Sequence, residues 1–251
     1  MTTLPQTADK SRELKLRVIS AAVLAPVVLA LTGIGGDPFA LLAVLAGVVM
    51  ASEWATIVLG RSWGFPRLTL LFLVALAVAT GADLMPVGPG SPVLLLTVGS
   101  LVSAAGVAAV EARGTGDKLA RDWAVAGPFY AGLSAIAIAS LRAAPNGLWL
   151  VVFLFAVVWA TDIAAYFTGR AIGGPKLWPA VSPKKTWSGA IGGLVAAALA
   201  GVLVAHFAGA PRLFPVFLVG VALSIASQVG DLFESSLKRR FGVKDSGWII
   251  P

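Results

Sequence analysis

Four carboxylates interrupt otherwise apolar stretches of this chain: Glu53, Asp162, Asp231 and Glu234. Acids in such surroundings are costly and therefore point to function. No lysine or arginine lies mid-stretch beside them; the cations gather at one end. The last such stretch runs Gln228-Val-Gly-Asp231-Leu-Phe-Glu234-Ser235-Ser-Leu-Lys238-Arg239-Arg240 and continues to Lys244-Asp245. On a helix, Asp231, Ser235 and Lys238 share one face, with Glu234 next to it. A carboxylate, a hydroxyl and an ammonium in one stripe suit a divalent cation carrying phosphates, the acid holding the metal and the cations meeting phosphate oxygens. Read alone, Lys238 to Arg240 also fit ordinary charged anchors at a helix end. That reading leaves an acid one to two turns inside the apolar run unexplained.

A second stretch has the same character. Asp162, Tyr166, Gly169 and Arg170 share a helical face, followed by Gly173-Gly-Pro-Lys176-Leu-Trp-Pro-Ala-Val-Ser182-Pro183-Lys184-Lys185-Thr186. Prolines stiffen this loop. Ser182, Lys184, Lys185 and Thr186 offer phosphate-binding groups just before a helix expected to begin near Trp187, and helix N-termini favour anions. It is not a Walker A loop, since no glycine precedes Lys185-Thr186. A basic loop that only sets topology is the plainer alternative.

The elements that must position these groups follow from composition. Of 251 residues, 58% are hydrophobic and 12% charged, against roughly 25% charged in soluble domains. The mean hydropathy of +0.89 spans the whole length, so lipid must be the solvent for much of the surface. There are no cysteines and one histidine, His206. Thiolate and multi-histidine metal sites are excluded, which leaves oxygen ligands and a hard ion such as magnesium. His206 reads as an interfacial histidine near an outer helix end.

Eight apolar windows qualify as spans: Val18–Gly33, Phe39–Leu59, Leu68–Gly81, Pro92–Val110, Trp123–Leu141, Leu148–Phe167, Gly189–Ala208 and Phe214–Glu234. The first is too long for a signal-peptide core and reads as a retained helix. With the N-terminus in the cytoplasm, cytoplasmic segments hold seventeen of the nineteen basic residues, leaving Arg142 and Arg212 outside. That asymmetry fixes the orientation and the even count. It also accounts for the net charge of +7, with no need for nucleic acid as a partner. The expected fold is all-α: a polytopic integral membrane bundle of about eight transmembrane helices, both termini cytoplasmic. Its parts are a basic cytoplasmic segment 1–17, about five helices over 18–147, and a catalytic region 148–251 with a cytoplasmic loop at 170–188. Ala165-xxx-Gly169 and Gly189-xxx-Gly193 have the spacing that lets helices approach closely. Trp54, Trp123, Trp149, Trp159, Trp178 and Trp187 suit membrane interfaces.

The last third resembles a known family. Ser235-x-Leu237-Lys238-Arg239-x4-Lys244-Asp245-x-Gly247-x2-Ile250-Pro251 is similar to the C-terminal pattern of the phosphatidate cytidylyltransferases, or CDP-diacylglycerol synthases. Asp162, Tyr166-Phe, Gly169-Arg170, Lys176-Leu177, Pro179, Ser182-Pro183-x-Lys185-Thr186, Gly189 and Gly192-Gly193 resemble the family's preceding block. The resemblance covers roughly Ala160 to Pro251; upstream it is limited to hydropathy and the Glu53-Trp54 pair. Ile163-Ala164 and Ser188 depart from the family, which tends to have a small hydroxyl residue and glycine at the first and Glu or Gln at the second. The family pattern continues past that proline with His-Gly-Gly and Asp-Arg stretches, including a second metal-ligand aspartate. The chain as given ends before them, and the expectation is an incomplete site with little activity in these 251 residues.

The resemblance implies transfer from CTP to phosphatidate with magnesium, giving CDP-diacylglycerol and pyrophosphate at the cytoplasmic face of the cell's inner membrane. Its partners are CTP, phosphatidate and the bilayer, with a homodimer among the expected assemblies. The chemistry agrees: a phosphate monoester is anionic near neutral pH, so no strong general base is needed, and catalysis rests on cations. Asp231 is expected as the leading metal ligand. Asp162 is either a second metal acid or a neighbour that orients the site. Lys238, Arg239 and Lys244 would stabilise the triphosphate or the lipid phosphate, and Asp245 would order the basic loop around them. Ser182, Lys185 and Thr186, with Ser235, Tyr166 and Arg170, would bind substrate. Glu53 is read either as closing the bundle or as reaching the cavity. An ion-coupled transporter or lipid flippase is the rival reading; it expects acids at mid-bilayer, whereas these lean to the basic side.

Overall fold

Many small residues of this protein's helices face inward and many of the large apolar ones outward. The computed structural model describes residues 20, 22–60, 65–81 and 92–243. They form α1 (Ala22–Ile34), α2 (Gly36–Leu59), α3 (Phe65–Gly81), α4 (Pro92–Arg113), α5 (Lys118–Ala143), α6 (Gly147–Ile172), β1 (Lys176–Trp178), β2 (Ser182–Thr186), α7 (Trp187–Phe207) and α8 (Leu213–Arg240). Six helices are long and apolar enough to cross a bilayer, and α1 and residues 66–79 of α3 are shorter apolar helices. The protein is therefore a helical, multi-pass membrane protein. Among the described residues a helix lies in each of the eight apolar windows, and the helices extend past several window edges into charged residues such as Arg113, Lys118 and Arg240.

α7 shows the inverted pattern most clearly. Gly189, Gly193, Ala197, Gly201 and Ala205 recur every fourth residue and are buried. Ile191, Val195, Leu199 and Leu203 recur at the same interval on the other side and are 51–63% exposed. Water would not tolerate so extensive an apolar surface. In hydrocarbon it costs nothing, and helix association depends instead on close packing of small residues.

The chain divides into two compact units after Ala143. In the first, α2 and α5 pack through alanine and glycine. Gly127 leaves a notch in α5 for Trp54, whose indole N–H donates to the Trp123 carbonyl at 2.8 Å. Trp54 also stacks obliquely near Trp123 and Tyr130. It is thus buried in the bundle, where its one polar atom finds a backbone partner. Arg142 spans from α5 to the end of α1, donating to the Thr32 carbonyl at 2.7 Å and to that of Gly33 at 3.2 Å, two of the acceptors a helix C-terminus leaves unsatisfied. Arg67, one of the basic residues counted to the cytoplasmic segments, is fully buried and bonds Glu111 at 3.2 Å and the Gly60 carbonyl at 2.9 Å.

The second unit comprises α6, the hairpin β1–β2, α7 and α8. α6 and α7 meet through the two small-residue motifs. A Cβ on Gly189 would lie 2.7 Å from the Ala165 carbonyl, and one on Gly193 2.8 Å from that of Thr161. α6 ends at Gly173 and Gly174, both with positive φ, and the Gly173 N–H bonds back to Gly169. Only glycine makes that double left-handed step cheaply. α8 ends in a Schellman turn: Gly242 and Val243 donate to the carbonyls of Arg239 and Lys238.

The segment 170–188, read as a loop, contains a short antiparallel hairpin, an exception to the all-α expectation. Its turn is closed by the Val181 N–H donating to Trp178, with Pro179 at the second position that favours it. Lys176 pairs with Thr186 and Trp178 with Ser182, with an irregular register between. Pro183 brings no N–H to β2, so a regular ladder is not available there.

Candidate active site

A cleft of about 640 Å³ opens within the second unit. α6 supplies Asp162, Tyr166 and Arg170; β1 supplies Lys176; β2 supplies Lys184, Lys185 and Thr186; α8 supplies Gln228 and Asp231. Ala165, Gly169, Gly189 and Ala190 also line it, where α6 and α7 are in close contact. Four cations thus face two acids, an excess of positive charge suited to a polyphosphate.

The two acids come from different helices, and each feels the same ammonium. Lys185 of β2 is ion-paired with Asp231 of α8, and both Asp231 and Lys185 act electrostatically on Asp162. The Lys185 side chain is 28% exposed and that of Asp231 56%. Arg170 donates to the Tyr166 hydroxyl at 3.0 Å, one turn apart on α6.

The hairpin is locked to α7 by a relay of hydroxyls. The Gly189 N–H donates to Thr186 Oγ1 at 3.1 Å, an N-cap bond. Ser188 Oγ donates to the Gly173 carbonyl. Since Ser188 has one proton and spends it there, Thr186 must be the donor in the 3.0 Å bond between the two hydroxyls. The Trp187 N–H is taken by the Pro175 carbonyl at 3.1 Å. Two first-turn donors of α7 are therefore already satisfied within the protein. Thr186 borders the cleft, and its hydroxyl accepts from the Gly189 N–H and donates to Ser188. Ser188, a departure from the family pattern, is the residue that closes the loop.

The other expected site residues lie elsewhere. Ser182 opens β2 opposite Trp178 and does not line the cleft. Ser235, Lys238 and Arg239 occupy the last turns of α8, beyond the cleft lining. Lys238 pairs with Glu234 at 2.6 Å. Glu53 is half-buried in α2, in the first unit. Lys244 and Asp245 fall outside the described residues.

Lys184 was expected only as one of the loop's phosphate-binding groups, and Lys176 and Gln228 were not singled out as site residues. Gln228 had a legible signal: it lies one turn before Asp231, and Ser224 one turn earlier still, so the Asp231 face continues inward along α8.

A hard divalent cation fits this donor set. Asp162 and Asp231 face one cleft, and the Lys185 ammonium already stands against Asp231 as a positive charge. Among the described residues, no group of three or more His, Cys, Asp or Glu converges as a candidate metal site.

A model of the cytidylyltransferase family matches residues 15–251. A phosphatidate cytidylyltransferase of Brucella suis biovar 1 (strain 1330) is 47% identical over 239 residues, 95% of this chain and 84% of that protein. Enzymes of the same name from Staphylococcus haemolyticus and Haemophilus influenzae are 46% identical over 107 residues and 42% identical over 130 residues. Those matches cover 42% and 49% of this chain, and 41% and 45% of the respective relatives. With a family match over nearly its whole length, and the cleft built from the elements that carry the resemblance, the chain belongs to the cytidylyltransferase family.

Proposed function

We propose that this protein transfers the cytidylyl group of CTP to phosphatidate. A phosphate oxygen of phosphatidate attacks the α-phosphorus of CTP, and the bond from that phosphorus to the bridging oxygen of the β-phosphate breaks. The products are CDP-diacylglycerol and pyrophosphate. The attacking monoester is already ionised, with a second pKa of about 6, so no side chain has to remove a proton. The barrier is electrostatic, since two polyanions must meet and a third must leave. Arg170, Lys176, Lys184 and Lys185 neutralise the phosphates. Tyr166 braces Arg170, and the capped hairpin holds Lys184 and Lys185 in place. A magnesium ion held by Asp162 and Asp231 would add charge neutralisation at the phosphates.

The observation that carries this reading is the convergence of two acids and four cations from four elements on one cleft. It is supported by the names of the relatives at 47% identity. The proposed setting is a cell inner membrane crossed eight times, both termini and the cleft facing the cytoplasm, where CTP is available. The basic-residue asymmetry supports that orientation. The test is pyrophosphate release by the full-length protein in mixed micelles. Release should require both CTP and phosphatidate, should cease when diacylglycerol lacking the phosphate replaces phosphatidate, and should depend on Mg²⁺. Pyrophosphate release indifferent to phosphatidate would rule the reading out.

A further inference from the structure

Of the 28 residues of α8, only Gly220, Ser224 and Leu237 are buried. In lipid no hydrophobic force holds such a helix to its neighbours, so close packing and polar bonds must do it. At Gly220 the nearest neighbour of an added Cβ would be Ala198 of α7, at 3.5 Å. A bare glycine there sets how near α8 comes, not which way it faces. Direction comes one and two turns further on. Ser224 is fully buried with its Oγ 2.9 Å from Thr161 Oγ1 of α6, itself fully buried and 2.8 Å from the Val157 carbonyl. The Gln228 amide donates to the Ala190 carbonyl of α7 at 3.2 Å and reaches Ser224 Oγ at 3.4 Å. A carbonyl oxygen only accepts, so the NH₂ end is the one that faces α7. Gln228 thus ties α8 to α7 directly and to α6 through Ser224.

Asp231 stands three residues later on the same face, ion-paired with Lys185 of the hairpin. A turn of α8 about its axis would swing Asp231 away from Lys185, and the bonds of Gln228 oppose that turn. We propose that Gln228 is a positioning residue: through Ala190, Ser224 and Thr161 it fixes the rotation of α8, and so the direction from which Asp231 enters the cleft. The proposal rests on the reading of that cleft as the site of cytidylyl transfer.

The test joins a distance to kinetics on the full-length protein in detergent. The chain has no cysteine. Nitroxides on Leu199→Cys of α7 and Val229→Cys of α8, both exposed positions, therefore report the placing of α8 by double electron–electron resonance without substrates. Gln228→Leu and Thr161→Val keep the size of the side chain and lose its polar atoms. Each should shift or broaden the label distance, and Thr161→Ser should restore it. In unlabelled protein Gln228→Leu should lower kcat about tenfold or more, with the KM for CTP changed by less than about twofold. Gly201→Ala would put a Cβ 2.7 Å from Phe153, away from the cleft lining. As the stability control it should lower Tm and keep kcat. An unchanged label distance in Gln228→Leu overturns the proposal, whatever the activity. So does a shifted distance with wild-type kcat, or a loss of kcat in Gly201→Ala as large as that in Gln228→Leu. A wild-type protein that makes no CDP-diacylglycerol, while Gln228→Leu still shifts the distance, would instead overturn the reading of the cleft and leave the brace standing.

Discussion

Lys185 on the hairpin and Asp231 on α8 form an ion pair across the cleft. Each is what the other's ligand would displace: a metal ion competes with the ammonium for Asp231, and a phosphate competes with the carboxylate for Lys185. Asp231→Asn should lower turnover on the order of a hundredfold or more. Lys185→Met should raise the KM for CTP, and the double variant should lose less than the product of the two single effects. Steady-state kinetics on the four proteins of this cycle provide the check; strictly multiplicative losses would show that the pair does not work as a unit.

Helix contact at glycine predicts a contrast in stability. Gly189→Ala would put a Cβ 2.7 Å from a backbone carbonyl, whereas at Gly220 the nearest atom is 3.5 Å away. The first should cost about 1–3 kcal/mol and lower Tm. Gly220→Ala should be neutral or raise Tm, because alanine is the better helix former by about 1 kcal/mol. Thermal melts in one detergent compare them.

The cap on α7 predicts a chemically narrow tolerance. Thr186→Val removes both the N-cap acceptor and the donor to Ser188, at a cost of about 1 kcal/mol, and should make the 173–186 segment easier to cleave by protease. Thr186→Ser keeps the hydroxyl and should resist cleavage like the wild type.

Arg67 predicts a rescue. Removing one partner of a buried ion pair typically costs about 3–5 kcal/mol, while replacing both with apolar groups is often neutral. Arg67→Met should therefore reduce yield and Tm, and Arg67→Met with Glu111→Leu should recover much of the loss. Failure of the double variant to recover would place the importance of Arg67 in its backbone bonds, such as that to Gly60.

Orientation can be read directly because the chain has no cysteine. A Ser182→Cys protein should react with an impermeant maleimide only from the cytoplasmic side. An Arg212→Cys protein should react only from the opposite side. The reverse pattern would invert the proposed topology.

The sequence alone determined the helical membrane fold, the apolar windows, the helix-spaced acids and the small-residue motifs, because these depend on local composition and on a 3.6-residue period. It was enough to place Asp162, Tyr166, Gly169 and Arg170 on one face, and all four line the cleft. It could not tell which charged groups meet across elements. Whether Lys185 reaches Asp231, whether Arg67 is solvated or buried, and whether the Thr186 hydroxyl is spent on a cap depend on distances between segments far apart in the chain. Spacing along one helix does not encode those distances. Only the packing of α6, α7 and α8 around glycine, and the hairpin that proline and a double-glycine turn build between them, decided which of these residues come together at one cleft. Lys185 and Asp231 are 46 positions apart, and no local pattern in either segment names the other.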